Sequence, residues 1–381
     1  MRVTPGDTRL VRRLKILLLS AYDASSHRYW HQLLTQRLTD FDWTVLSLPD
    51  RHFYWRMRSN ALTYALLHRE ALLADYDLIL ATSMVDLCGL RGLLPSLGRI
   101  PTVLYFHENQ FAYPVRKASS NIINSQLVSV YSSLCADRVL FNSSYNRQSY
   151  LDGANELFRK MPDGVTDNAM ADVERISNVL PVPILPATVR LAADSNKRSS
   201  DRVLEIVWNH RWEYDKQPEV FFTAMELLQS HGVDFVLHVM GQSFREIPPC
   251  FSQAKDIFGE RIATWGYQPR AAYLTVLQKA DIVVSCAAHD FQGLGMLEAI
   301  SHGCVPVAPA RVAYVEYVPG ALLYQCEAGD SSEPTVVYEK IASLLQGEWP
   351  SAPDVTYYYA ENLLEQYRQL ILDTVSPDTV H

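Results

Sequence analysis

Apolar and polar residues along this chain fall into short blocks whose period switches repeatedly. Residues 14–20 form a near-unbroken apolar run, 28–38 space their apolar side chains as a helix does, and 43–48 turn apolar again. Runs at 77–81, 101–106 and 138–142 have the length of buried strands. Between them, 60–74, 122–136 and 144–160 carry helical stripes, the last opened by a serine suited to capping. Pro162, Gly164, Pro181, Pro183 and Pro186 then break the pattern, followed by a polar run at 194–201. Alternation restarts with strands predicted at 204–208, 235–240, 261–265, 281–287, 305–309 and 321–323, and helices at 218–230, 249–258, 269–279, 335–345 and 357–372. Strands alternating with helices in two series predict an α/β fold: two Rossmann-like, doubly wound domains facing across a cleft. The layout reads as a disordered leader at 1–13, a first domain at 14–186, a linker at 187–202, a second domain at 203–348 and a terminal helix within 349–381 placed to cross back to the first domain. In such folds ligands bind outside the carboxyl ends of the strands.

Composition narrows the class. The 381 residues are 48% hydrophobic and 20% charged, which suits two packed cores. A net charge of −8, from 34 basic and 42 acidic side chains, opposes non-specific wrapping of nucleic acid but permits a local basic patch. Six cysteines without a CxxC pair fit a reducing compartment, so a cytoplasmic protein is expected. The apolar run at 16–19 is far too short to span a bilayer, and no stable membrane association is expected.

The chemistry concentrates in four stretches. At 289–306 a strand leads into a glycine loop and a helix, so the amides of Gly293, Leu294, Gly295 and Met296 are placed to cradle a phosphate. Asp290 and Glu298 flank that loop. Glu298 can be read simply as a first-turn carboxylate favoured by the helix dipole, and Asp290 as a strand terminus. Alternatively both accept from hydroxyls, Glu298 from a ribose and Asp290 from a sugar. At 209–218, Arg211 and Lys216 supply two cations from one loop, as a diphosphate leaving group requires. A solvated polar loop would explain the same residues, but its place at a strand end in the domain of the glycine loop favours the diphosphate. At 104–110, His107, Glu108 and Asn109 end a strand and would face the cleft from the first domain. A structural histidine is the competing account. At 51–58, a predicted loop interleaves Arg51, Arg56 and Arg58 with Phe53, Tyr54 and Trp55, which suits stacking and phosphate contacts to single-stranded RNA. Packing of those aromatics on the sheet would account for them equally. His27, after the first strand, is placed to touch phosphate or acceptor. The pairs Asp40/Asp42 and Asp75/Asp77 precede strands, away from the carboxyl ends, so no metal site is assigned to them.

Together these motifs resemble the retaining GT-B glycosyltransferases, in which an Arg-x4-Lys pair holds the diphosphate, a Glu-x7-Glu segment holds donor sugar and ribose, and a histidine faces the sugar. Arg211 and Lys216 match the first, and Glu298 the second glutamate. Asp290 stands where the first glutamate is found, and the loop at 21–27 lacks that group's glycines. The joint order of 51–60, 105–110, 141–145, 208–218, 265–267 and 289–306 resembles the tRNA-queuosine mannosyltransferase family. That resemblance implies GDP-mannose as donor and the cyclopentenediol of queuosine in the anticodon of tRNA-Asp as acceptor, with retention and with neither metal nor other cofactor. It implies a catalytic set of His107, Asp290, Arg211 and Lys216. Donor contacts would come from residues 293–296, Glu298 and Tyr267, the last beside the guanine. Acceptor contacts would come from Arg51, Arg56, Arg58, His27 and Asn109. Two alternatives stay open: the same fold with a lipid or polysaccharide acceptor, and a non-catalytic sugar-nucleotide or RNA-binding module. The first is weakened by the helix at 28–38, whose only cations apart from histidine are Arg28 and Arg37.

Overall fold

The computed structural model describes residues 12–113, 120–162, 169–187, 202–243 and 246–376. Most of the predicted leader and of the predicted linker lies outside the described residues. The first half contains β1 (Lys15–Ser20), α1 (Ser25–Arg37), β2 (Asp42–Ser47), α2 (Phe53–Leu67), α3 (Arg69–Leu72), β3 (Leu78–Thr82) and α4 (Leu87–Leu93). It continues with β4 (Thr102–Phe106), α5 (Ser120–Leu134), β5 (Arg138–Phe141), α6 (Ser144–Arg159), α7 (Ala171–Arg175) and β6 (Ser177–Val179). The second half contains β7 (Leu204–Trp208), α8 (Pro218–Ser230), β8 (Phe235–Met240), α9 (Cys250–Phe258), β9 (Ile262–Gly266), α10 (Arg270–Lys279) and β10 (Ile282–Val284). Then come α11 (Leu294–Ser301), β11 (Val305–Pro309), β12 (Leu323–Tyr324), α12 (Glu333–Gln346) and α13 (Ala360–Val375).

Each half builds one six-stranded sheet whose pairings are all parallel, in the orders β2-β1-β3-β4-β5-β6 and β12-β11-β10-β7-β8-β9. Helices cover both faces, so Ile16, Leu17, Leu18 and Leu19 are all fully buried and the strand is apolar on both sides. Strand order reverses between β1 and β3 in one sheet and between β7 and β10 in the other. Those two switch points open crevices at the carboxyl ends of the strands. The residues that follow β7 and β10 are the 209–218 and 289–306 stretches.

α13 returns to the first sheet. Leu363, Tyr367 and Ile371 pack with Ile16, Leu18, Leu80 and Tyr105 in one cluster. Trp30 Nε1 donates to the Tyr367 hydroxyl at 3.0 Å, and that hydroxyl donates to the Pro181 carbonyl at 3.0 Å. Ile184 pairs with the segment before α13, through Ile184 N to Tyr358 O and Ala360 N to Ile184 O, both 2.8 Å. Two strands of chain thus run side by side between the sheets.

Three local expectations change. Residues 51–58 are not a loop: His52 takes a left-handed conformation (φ 55°) and α2 starts at Phe53, because no glycine or proline interrupts 51–69. The strand predicted over 281–287 stops at Val284, after which Ala287 N turns to Ser285 Oγ at 3.2 Å and Ala288 N to the Asp215 carbonyl at 2.9 Å. The cap of α6 is Ser143, whose hydroxyl accepts from Asn146 N at 3.0 Å.

Candidate active site

β7 ends at Trp208 and delivers Asn209, His210 and Arg211 to the switch point of the second sheet. Arg211 lies 2.8 Å from Glu213, stays 46% exposed, and also donates to the Tyr113 hydroxyl of the first domain. A short turn at Tyr214–Lys216 then carries Lys216 inward until it is only 6% exposed. Its ammonium donates to the His289 carbonyl at 2.5 Å and lies 3.3 Å from Asp215 and 3.5 Å from Asp290. A buried cation needs such carboxylates.

Asp290 is bound into the loop itself. One oxygen accepts from Gly293 N at 2.9 Å and the other from the Tyr314 hydroxyl at 3.0 Å. Burial opposes its charge, but Lys216, His210 and His289 outweigh that and hold its pKa at about 2. Asp290 therefore fixes the loop and pairs with Lys216, a role the sugar-hydroxyl reading did not include. Gly293 has φ 76°, and a β-carbon there would lie 2.5 Å from the Tyr317 hydroxyl, so the turn admits only glycine. A β-carbon on Gly295 would come within 3.0 Å of the Asn209 carbonyl. No side chain caps α11, which leaves its first-turn amides facing the 209–211 loop. Met296 is wholly buried, and Leu294 packs against the first domain's core.

Glu298 occupies the second turn of α11, not the first. Its oxygens meet Arg270 at 2.6 Å and the Tyr273 hydroxyl at 3.0 Å. Asn209 ties this group to the glycine loop by donating to the Gly295 carbonyl at 2.8 Å and to Tyr273 at 3.0 Å. Arg270 begins α10 at the carboxyl end of the edge strand, and its place there is the signal that reading the sequence passed over. Tyr267 lies one residue beyond that strand and is 74% exposed.

The first domain faces this group with His107, which follows β4. His107 stacks on His27 at 4.1 Å and meets Trp30 edge-on at 4.8 Å. Both histidines are buried, and His107 Nε2 and His27 Nδ1 lack protein partners. Burial holds His27 at a pKa of about 4, and burial plus the two nearby histidines hold His107 well below the usual range, so both are neutral at pH 7. Burial, reinforced by Lys216, likewise holds His210 and His289 at about 4. Burial raises the Glu108 carboxyl, and the charge of Arg211 opposes that rise. The Tyr113 ring lies 4.8 Å from that of His289, closing one side of the cleft.

Asn109 is a correction. Its amide nitrogen meets Asn146 O, Asn146 Oδ1 and Ser149 Oγ at 2.8–3.1 Å, and its oxygen accepts from Phe111 N and Ala112 N. With every polar atom engaged it shapes the turn after β4 and has none left for an acceptor. Arg56 is also revised: it is partly buried with Nε shut off from solvent, whereas Arg51 and Arg58 are exposed. Asp77 is occupied by Arg12 and Lys15 N, each at 2.8 Å, at the opposite end of the sheet. Among the described residues no group of three or more metal-ligating side chains gathers.

Two further contacts join the domains beside the site. The Gln292 side chain pairs with Val182 twice, accepting from its N–H at 2.9 Å and donating to its carbonyl at 2.8 Å. Glu316 accepts from Ser144 N and Tyr145 N at the start of α6.

Comparison with known proteins gives the family and the fold. Residues 15–184 match the family model described as tRNA-queuosine alpha-mannosyltransferase N-terminal. The chain is 33% identical over 315 residues to the tRNA-queuosine alpha-mannosyltransferase of Drosophila melanogaster, covering 81% of this chain and 83% of the relative. Among solved structures it is similar to sucrose-phosphate synthase from Thermosynechococcus elongatus, with TM-score 0.70, 14% identity and coverage of 96% of this chain and 100% of that one. It is also similar to the catalytic domain of starch synthase IV from Arabidopsis thaliana, with TM-score 0.65, 11% identity and coverage of 96% and 100%. At such identities these likenesses show the fold alone, which is GT-B. The chain belongs to the tRNA-queuosine alpha-mannosyltransferase family, and it is a glycosyltransferase.

Proposed function

We propose that this enzyme transfers mannose from GDP-mannose, with retention, to the cyclopentenediol of queuosine in the anticodon of tRNA-Asp, and that it does so in the cytoplasm without a metal. The observation that carries the reading is the pair Arg211 and Lys216 beside the uncapped amides of α11, at the switch point of the second sheet. As the glycosidic bond breaks, negative charge builds on the GDP phosphate. Two fixed cations and a helix N-terminus meet that charge without reorganising. Glu298, held by Arg270 and Tyr273, retains lone pairs for ribose hydroxyls. Neutral His107 turns an unpartnered ring nitrogen to the mannose. With no enzymic nucleophile assigned, the departing phosphate takes the proton of the attacking hydroxyl on the same face.

GDP release tests this. Release is expected only with queuosine-containing tRNA, unchanged by EDTA, and lowered about 100- to 1,000-fold in Lys216→Ala, as loss of a transition-state charge partner does. Wild-type-like transfer by that variant would sink the assignment. Release with a lipid or polysaccharide in place of tRNA, or donor binding without release, would each replace it. Among the described residues no helix is long and apolar enough to cross a membrane.

A further inference from the structure

α2 presents a face that the donor site does not explain. Tyr54 and Trp55 are 50% and 77% exposed, and Arg51 and Arg58 are exposed beside them. Positions 54, 55 and 58 follow helical spacing and form one stripe, and Arg51 lies two residues ahead of the helix start. The other face of the helix is anchored: Met57, Asn60, Ala61 and Tyr64 are buried, and Asn60 bonds the Arg56, Met57 and Met84 carbonyls. Residues 51–69 hold four arginines and no carboxylate in a chain of net charge −8. This is a local reversal of sign. A solvent-exposed tryptophan on an ordered helix adds nothing to the fold, so a partner with flat, apolar faces and negative charge is what it suits.

The stripe starts at the cleft. β2 ends at Ser47, at the carboxyl side of the first sheet, and the chain enters α2 from there. Phe53 packs edge-on against Tyr22 at 5.7 Å. Tyr22 in turn lies within the field of Glu108, Arg211 and Glu213, the residues around the diphosphate cations. The exposed face of α2 is therefore continuous with the rim of the site.

Resting on the reaction proposed above, we propose that this face is the platform for the acceptor's single-stranded loop: Tyr54 and Trp55 stack on unpaired bases flanking the modified nucleotide, and Arg51 and Arg58 bracket them as phosphate contacts. Aromatic side chains stack on any base, and arginine meets phosphate through its planar fork. Arg56, partly buried with Nε shut off from solvent, is left out of this platform. Leu62 and Leu66 continue the exposed stripe away from the cleft and would suit a bilayer, which makes vesicles the necessary comparison.

The test uses the full chain, a fluorescent queuosine-bearing anticodon stem-loop, and vesicles of anionic and zwitterionic lipid. Trp55→Ala is expected to weaken stem-loop binding about 10-fold or more. Arg51→Ala/Arg58→Ala is expected to reduce the slope of log affinity against log salt by about 1.4, two single-strand phosphates' worth. GDP-mannose should raise the melting temperature equally in all of these, since none touches the donor. Native affinity and salt slope in the variants, or no stem-loop binding by the native chain, would overturn the platform. Vesicle binding that these substitutions abolish, with RNA binding untouched, would overturn it in favour of a bilayer. Native-like RNA binding through α2 without mannose transfer would instead remove the reaction and leave the surface standing.

Discussion

Replacing Asp290 by asparagine separates a loop-fixing carboxylate from a sugar-binding one. Asp290 lies 3.5 Å from buried Lys216 and accepts from Gly293 N and Tyr314. Its pKa falls from an ordinary 3.8 to about 2. A carboxyl so displaced contributes about 2–3 kcal/mol to the folded state at neutral pH. Because the folded value is depressed, that stability is complete above about pH 4 and is lost as pH falls towards 2. Asparagine keeps the shape and can still accept from Gly293 N, so what disappears is mainly the charge opposite Lys216. Asp290→Asn should therefore lower the melting temperature at pH 7 by roughly 4–12 °C, taking about 2–4 °C per kcal/mol for a domain of this size. The gap from wild type should narrow as pH drops below about 4. Differential scanning fluorimetry from pH 7 to pH 3 reads both. If Asp290 serves the sugar and not the loop, the melting temperature will be unchanged and only the Michaelis constant for donor will rise. That pattern would refute the assignment.

Other outcomes follow from the same contacts. Gly293→Ala places a β-carbon 2.5 Å from the Tyr317 hydroxyl at a φ of 76°, so it should cost about 1–3 kcal/mol and abolish the melting shift caused by GDP-mannose. Asn109→Ala removes contacts to two backbone amides and to Asn146 and Ser149, so stability should fall by about 1–3 kcal/mol while affinity for the RNA stem-loop is unchanged. His27, His210 and His289 are held near 4, against an ordinary 6.5, so the unfolded chain binds more protons between those values. Stability should then decline as pH falls from about 6.5 to 4, and a flat melting curve over that window would contradict their burial as neutral rings.

The strands of both sheets were legible because parallel strands covered on both faces leave unbroken apolar runs, as at Ile16 to Leu19. The glycine loop and the Arg211–Lys216 pair were legible because turn chemistry and charge are local. The start of α2 was misread: alternating arginines and aromatics hide a helical period when the exposed face carries the aromatics. Asn109 was misread for a related reason. A polar cluster after an apolar strand looks like a site, yet here the polarity satisfies the turn's own backbone. Arg270 and Tyr113 were missed because their partners, Glu298 and Arg211, lie on other elements, and Tyr113 meets His289 only when two domains come together. No local pattern encodes such meetings.

Gln292 has a mechanical consequence. It grips Val182, three residues beyond β6, by donor and acceptor at once, as a neighbouring strand would, and it is the residue immediately before Gly293. The glycine loop and the segment that follows β6 are therefore tied at adjacent residues. Any rotation of one sheet against the other would therefore act on the turn that aims the α11 amides, and a ligand seated there would oppose it. Severing this tie with Gln292→Ala would let the two motions proceed independently, so donor occupancy would no longer report on the breadth of domain swing seen by small-angle scattering.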